Sequence, residues 1–346
     1  MNENYFLREG DFSPFLEKMI AANTVVAPVA KKDKFVFETL SRAEAIRLDY
    51  DVTLLPPKKE IFPPTQELLT FRDNKAKSSI NPQPKILFGV HFYDIKAIDM
   101  LDQLFAEPIE DQHYTKNREA ITLIGSNIQT IAPDAFYSTA SIETQAEGHD
   151  GFVTHISGGY LYQVRSDKGK ALLQYANFDT ASEAQVSEAE KVNQEALDNC
   201  PKKLAATGRD LAIRMRERYD RMDLWEDVSA DCFSCGSCNI VCPTCYCFDV
   251  QDEWNLDQVS GKRCRSWDSC MHPDFAEVSL GNNQVENFRD SAAKRTRHRF
   301  LRKTSFLNEK LGTQACVGCG RCTIACVPGI SDPVEVVSKI LEVDDE

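Results

Sequence analysis

Apolar positions in the first half of the chain recur at two spacings. Phe12, Phe15, Leu16 and Met19 fall three and four apart, which predicts a short amphipathic helix over residues 12–21. VVAPVA and KFVFETL then read as short strands, and LLPPKKEIFPP as an extended, proline-stiffened crossing. KILFGV (85–90) is an apolar run of the kind that forms a buried strand. Asp94 is placed as an N-cap before Ile95, Ala97, Ile98, Leu101, Leu104 and Phe105, one face of a helix. ITLIG (121–125) supplies the next strand, completing a β-α-β pattern with parallel pairing. FVTHISGGYLYQV predicts a hairpin turning at Gly158-Gly159. Residues 180–222, rich in Ala, Glu, Gln, Lys and Arg, favour helix, broken at Pro201 and Gly208.

From about residue 228 this patterning gives way to cysteine-dense turns. Twelve of the thirteen cysteines lie between Cys232 and Cys326. Two runs stand out: Cys232-x2-Cys235-x2-Cys238-x3-Cys242, followed by Pro243, and Cys316-x2-Cys319-x2-Cys322-x3-Cys326. Each has the spacing that wraps a [4Fe-4S] cube in bacterial ferredoxins, with the last cysteine ligating the other cluster. One cube is therefore assigned to Cys232, Cys235, Cys238 and Cys326, the other to Cys316, Cys319, Cys322 and Cys242. Structural zinc takes two separated pairs of ligands, and a three-plus-one pattern occurring twice does not fit it. Gly236, Gly318 and Gly320 are expected to let the backbone turn tightly and approach the cluster sulfurs. The chain is thus read as α+β, in three parts. These are an α/β scaffold or docking domain (1–178), a helical connector (179–227) and a ferredoxin-like dicluster domain (228–346).

Cys245, Cys247, Cys264 and Cys270 are the right number for a third cube, but their spacing matches no cluster motif, and buried thiols are the alternative. Cys200 stands alone and reads as an ordinary thiol. Lys294, Arg295, Arg297, His298, Arg299, Arg302 and Lys303 form the one dense basic run. It is either a solvated helix or a set of cations that raises the cluster potentials or docks an acidic partner. His91, His113, His149, His155 and His272 show no paired metal spacing. Trp225, Trp254 and Trp267 are read as apolar packing that shields the cluster region. The net charge of -13 argues against general nucleic-acid binding. MNENYFLREGDF lacks an apolar signal core and no stretch approaches the ~20 apolar residues of a membrane span, so the expected location is the cytoplasm.

CFSCGSCNIVCPTCYCFDVQDEWNLD, GKRCRSWDSC and RFLRKTSFLNEKLGTQACVGCGRCTIAC, with LPPKKEIFPP and FGVHFYDIKAIDMLD upstream, resemble one family. It is the iron-sulfur beta subunit of soluble NAD(P)-linked nickel-iron hydrogenases (sulfhydrogenases), to which the corresponding iron-sulfur subunit of anaerobic sulfite reductase is closely related. The resemblance implies a subunit that holds clusters and has no catalytic residues. It would pass single electrons between a flavin/NAD(P)-binding reductase subunit and a hydrogenase-type catalytic or small iron-sulfur subunit. The alternatives are a sulfite-reductase-type relay and a subunit whose clusters serve only structure or docking. No G-x-G-x-x-G follows a strand, so FAD and NAD(P) are expected on another polypeptide. Relatives carry further N-terminal cysteines. The matching positions here are Tyr93, Ser126 or Asn127, Ala135 and Tyr137, none of which supplies a thiolate. Cys326-Val327-Pro328 departs from the family's proline directly after the cysteine, a change expected to tune the site.

Overall fold

A computed structural model describes residues 3–140, 147–282 and 284–342 of the chain. The chain divides into two compact units: Met1–Phe62 with Asn81–Ala132 and Ile142–Cys200, and Pro63–Ile80 with Pro133–Ser141 and Pro201–Glu346.

The first unit is built on an eight-stranded sheet. In spatial order its strands are Asp179–Thr180, Glu3–Arg8, Gly159–Val164, Gly151–Ile156, Ile121–Ser126, Lys85–His91, Val25–Lys31 and Lys34–Thr39. The four strands from Gly151–Ile156 to Val25–Lys31 run parallel, and the flanking pairs are antiparallel. The expected helix spans Glu9–Ala22 and buries Phe12, Phe15, Leu16 and Met19, with the Phe12 ring stacked 4.0 Å from that of Tyr160. Each such burial removes enough apolar surface to contribute about 1.5–3 kcal/mol. The β-α-β unit and the hairpin at Gly158-Gly159 are both present.

Two local expectations need correction. Asp94 is not the N-cap: the helix runs Phe92–Ala106 from His91, directly off its strand. Phe92 and Tyr93 already belong to the buried helix face, so the helix starts two residues before Asp94. Asp94 sits buried in the first turn, where the helix dipole favours a carboxylate. The proline-rich crossing is not extended throughout, because Pro57–Glu60 form a 3-10 turn and the Lys58 carbonyl accepts from the amides of Ile61 and Phe62. Proline's fixed φ suits the first position of such a turn as well as it suits an extended strand.

The second unit combines a helical core with a four-stranded sheet. Helices Gly208–Glu217, Met222–Ser229, Ala292–Leu301 and Pro333–Glu342 bury Leu211, Met215, Trp225, Phe300, Leu301, Val337 and Ile340 together. The predicted break in the connector lies between Asp198 and Gly208. The hairpin Phe248–Trp254 with Ser260–Trp267 continues antiparallel into Thr65–Arg72 and Lys75–Ser78. Trp225 is fully buried, as a shielding residue should be, but Trp254 is 62% exposed, edge-on to Phe71. Its strand lies at the sheet edge with every residue exposed, so Trp254 shields nothing.

Candidate metal centre

The two cysteine runs fold into the same local form. In each, a left-handed glycine starts a single helical turn: Gly236 (φ +75°) before Ser237–Ile240, and Gly320 (φ +77°) before Arg321–Ile324. The turn carries the third cysteine, Cys238 or Cys322. It is closed by the fourth, whose amide donates back to the turn, Cys242 to Asn239 at 3.1 Å and Cys326 to Thr323 at 3.2 Å. First and fourth cysteines therefore leave the turn at different ends.

Two cavities of about 40 Å³ lie between the runs. One is lined by Cys232, Cys235 and Cys238 of the first run and by Cys326 of the second. The other is lined by Cys316, Cys319 and Cys322 of the second run and by Cys242 of the first. Among the described residues, no group of three or more His, Cys, Asp or Glu converges closely enough for a single metal ion. Four thiolates sharing one zinc at ~2.3 Å would have to do so. Four cysteines spread around a cavity suit the separate iron corners of a cube.

The glycines take the positive φ that tight turns need, as expected, and they also leave room for neighbouring chain. A Cβ on Gly318 would stand 2.5 Å from the Tyr137 amide nitrogen, and one on Gly320 would stand 2.7 Å from the Asp134 carbonyl oxygen. A Cβ on Gly236 would meet the His272 ring at 2.3 Å. Their bareness lets neighbouring chain close over the cysteine turns. The segment around Ala135 and Tyr137 thus lies against the second run, tied by a 2.8 Å hydrogen bond from the Phe136 amide to the Gly318 carbonyl. Both side chains are buried. In the first unit, Tyr93 is hydrogen-bonded with His91 and to the Asp51 carbonyl, while Asn127 accepts from the His155 amide. Ser126 is buried at its strand end. These positions are occupied by packing and hydrogen bonding.

Part of the basic run is buried rather than solvated. Arg295, Arg299 and Lys303 recur at intervals of four along the helix Ala292–Leu301 and the π-turn Arg302–Phe306, and all three are buried. Arg299 lines both cavities, and Lys303 lines that of the second run. The Arg299 Nε donates to Asn239 Oδ1 at 3.0 Å. The Lys303 Nζ donates to Thr244 Oγ1 at 2.7 Å, and that hydroxyl donates to the Ala315 carbonyl at 2.8 Å. Burial alone would lower both pKa values. Cys238, Cys322, Cys242 and Cys245 around Arg299, and Cys242, Cys245 and Cys316 around Lys303, hold both pKa values above their ordinary ranges instead. The converse holds for the thiols. Cys316 and Cys322 face the cavity rather than bulk water, and burial pushes each up to about 12. Burial also raises Cys238, whereas the Ser237 hydroxyl lowers exposed Cys235. Thiolates in these enclosed walls need cations, and the helix supplies them. Of the rest of the run, Lys294 pairs with Asp290, Arg297 stacks over Tyr219 at 3.9 Å, and His298 and Arg302 are half-buried.

The third cysteine set comes together only in part: Cys264 lies apart in mid-strand, opposite Gln251 and Glu67, while Cys245 and Cys270 both lie near enough to Cys247 to act on its charge. Cys200 is buried after the Glu183–Asp198 helix in the first unit. Sequence reasoning did not single out Asn239 and Thr244, which anchor the two buried cations. Their place beside the cysteines of the first run was the available signal.

Residues 231–330 match the family described as 4Fe-4S dicluster domain, which is the class that fold and site define. Over its length the chain is similar to Sulfhydrogenase 2 subunit beta of Pyrococcus furiosus, 29% identical over 340 residues, covering 96% of each chain. The resemblance carried by the cysteine segments therefore extends across both units. The matched residues 231–330 are thus a segment of iron-sulfur dicluster type. Among the described residues, no helix is long and apolar enough to cross a membrane.

Proposed function

We propose that this chain is the electron-relay subunit of a multisubunit, hydrogenase-type oxidoreductase of the cytoplasm. It takes single electrons from a flavin/NAD(P)-binding reductase subunit and hands them to a hydrogenase-type catalytic or small iron-sulfur subunit. One [4Fe-4S] cube is held by Cys232, Cys235, Cys238 and Cys326, and the other by Cys316, Cys319, Cys322 and Cys242. Flavin and nicotinamide belong to a partner. A bound cube supplies reversible one-electron redox chemistry.

What this chain contributes is position and charge. The shared wall keeps the two cavities close, Arg299 faces both, and Lys303 faces one. Each cation favours the added negative charge of a reduced state, so the helix raises both potentials. The single observation that carries the reading is the exchange of the fourth cysteine between two otherwise separate cavities. It is tested by iron, acid-labile sulfide and electron paramagnetic resonance on anaerobically reconstituted chain. About eight irons per chain and spin-coupled signals on dithionite reduction are expected for two cubes. Cys326→Ser should remove the cube otherwise held by the first run. Zinc in place of iron, or wild type with one cluster per chain, would overturn the assignment.

A further inference from the structure

The two cysteine-lined cavities differ in how they meet solvent. Among the residues lining them, only Phe233 and Cys235 are exposed, and both belong to the cavity that also takes Cys238 and Cys326. Phe233 is 68% exposed, and Val327, between Cys326 and Pro328 of the same wall, is 81% exposed. A phenyl and an isopropyl group thus stand in water at the mouth of one cavity, a small apolar patch that is unfavourable to leave uncovered. Three exposed acids adjoin it. Glu226 and Asp227 lie in the last turn of the Met222–Ser229 helix, just before the cavity-lining Val228, and Asp231 directly precedes Cys232. They sit at the negative end of that helix, where carboxylates are disfavoured, and among the described residues none of the three is in an ion pair.

We propose that this rim is the docking face for one redox protein whose own surface carries Lys and Arg around an apolar centre. Electrons cross to it at the mouth of the cavity lined by Cys232, Cys235, Cys238 and Cys326. In that step one electron leaves the reduced cube and reduces the partner's centre, and no bond forms or breaks. The electron step rests on the two-cube reading, whereas the docking rests on the surface alone. The cavity of Cys316, Cys319, Cys322 and Cys242 has no exposed lining residue and does not meet the partner here.

Charge complementarity fixes the chemistry of the occupant. Phe233 and Val327 supply an apolar centre, and Glu226, Asp227 and Asp231 an acidic rim, so the matching surface is apolar in the middle and basic at its edge. A second copy of this chain would set the same acids against one another. Transient redox encounters bury less than ~1,200 Å², so a patch this small is of the right scale for one. The path inward is short, because the exposed Cys235 is itself assigned to the cube.

The test uses the intact, cluster-loaded chain, with cytochrome c, a haem protein whose haem edge is ringed by lysines, as the probe. Anaerobically reduced chain, freed of dithionite, is mixed with it by stopped flow, and haem reduction is followed by absorbance at measured iron content. A net charge of -13 attracts a basic protein anywhere, so the comparison is between two variants that each lose two charges. Asp227→Asn with Asp231→Asn should slow the reaction about fivefold to tenfold at ~10 mM salt, a loss that fades at ~300 mM. Asp73→Asn with Glu253→Gln should slow it less than about twofold. Those two exposed residues lie toward the Ser260 end of the strand Ser260–Trp267. Its other end leads through Asp268 and His272 to Cys235, roughly 15–25 Å away at ~3.3 Å per residue. Phe233→Ser should slow the reaction about threefold to tenfold even at ~300 mM salt, where charge no longer acts. Carbodiimide should cross-link cytochrome c lysines to Asp227 or Asp231, whatever the state of the clusters. Equal slowing by the two pairs, or cross-links confined to other carboxylates, would overturn the proposal. So would a stable dimer of the chain that Phe233→Ser dissociates, which would make the patch a self-contact. Failure of the two-cube reading is seen separately, as wild-type protein without iron and acid-labile sulfide.

Discussion

Replacing Arg299 by methionine removes one buried positive charge from a position common to both cavities while keeping most of the side-chain volume. A unit charge ~7 Å from a cube, at an effective dielectric of ~20, interacts by about 2.4 kcal/mol with the electron added on reduction. At ~59 mV per tenfold change for a one-electron couple, that is about 100 mV. Arg299→Met should therefore lower both potentials by about 50–100 mV, allowing for some rearrangement of water and dipoles. Lys303→Met should lower mainly the potential of the cube beside Cys316, because Lys303 lines that cavity alone. Arg297→Gln is the control. It lies on the same helix but stacks over Tyr219 and donates to the Tyr219 carbonyl, so it should move either potential by less than ~20 mV. The assay is an anaerobic potentiometric titration followed by electron paramagnetic resonance, with iron content measured on each sample. Unchanged potentials in fully loaded Arg299→Met, or a rise in either one, would refute the electrostatic account.

Two other predictions concern the scaffold. Gly318→Ala should destabilise the second unit by about 2–4 kcal/mol, because a φ of +66° and a backbone atom 2.5 Å from the new Cβ act together. Gly312→Ala, with φ +67° and open space, should cost only about 1 kcal/mol, and equal shifts in unfolding midpoint for the two would contradict the packing argument. His298, partly buried beside Arg289 and Arg297, is pushed down to about 4. Its folded-state pKa lies below its unfolded one, so the unfolded chain binds the extra proton. Stability from this group is present in full above about 6.5 and is lost as pH falls toward 4. Histidine-selective NMR should find one imidazole still neutral at pH 5.5, and a His298 midpoint near 6.5 would refute the burial effect.

What was legible in the sequence was local. A cysteine turn is specified by spacing over a dozen residues, and the helix at Glu9–Ala22 by its apolar interval, so both read directly. The β-α-β unit read well because KILFGV and ITLIG are continuous apolar runs. The sheet joining Thr65–Arg72 to Ser260–Trp267 did not read, because its strands are half exposed and its partners are far apart in the chain. Trp254 misled for the same reason: its neighbour Phe71 comes from a strand that gives no local sign of pairing. The burial of Arg299 was half legible. Arg295, Arg299 and Lys303 share one helical face, and Phe300 and Leu301 beside them mark that helix as a core element rather than a solvated one. Asp94 and the 3-10 turn at Pro57–Glu60 were missed because one residue type suits two backbone settings, and tertiary packing chose between them.

The swap of the last cysteine between cavities has a consequence for how the protein is made. A nascent chain that has emerged only as far as Cys242 carries three thiols for one pocket and a single thiol for the other. Neither pocket has its full complement until Cys326 or the Cys316–Cys322 stretch has left the ribosome. If the proposed cubes are held as assigned, metallation waits for the stretch from Cys316 to Cys326, and a truncation shortly before Cys316 would forfeit both at once.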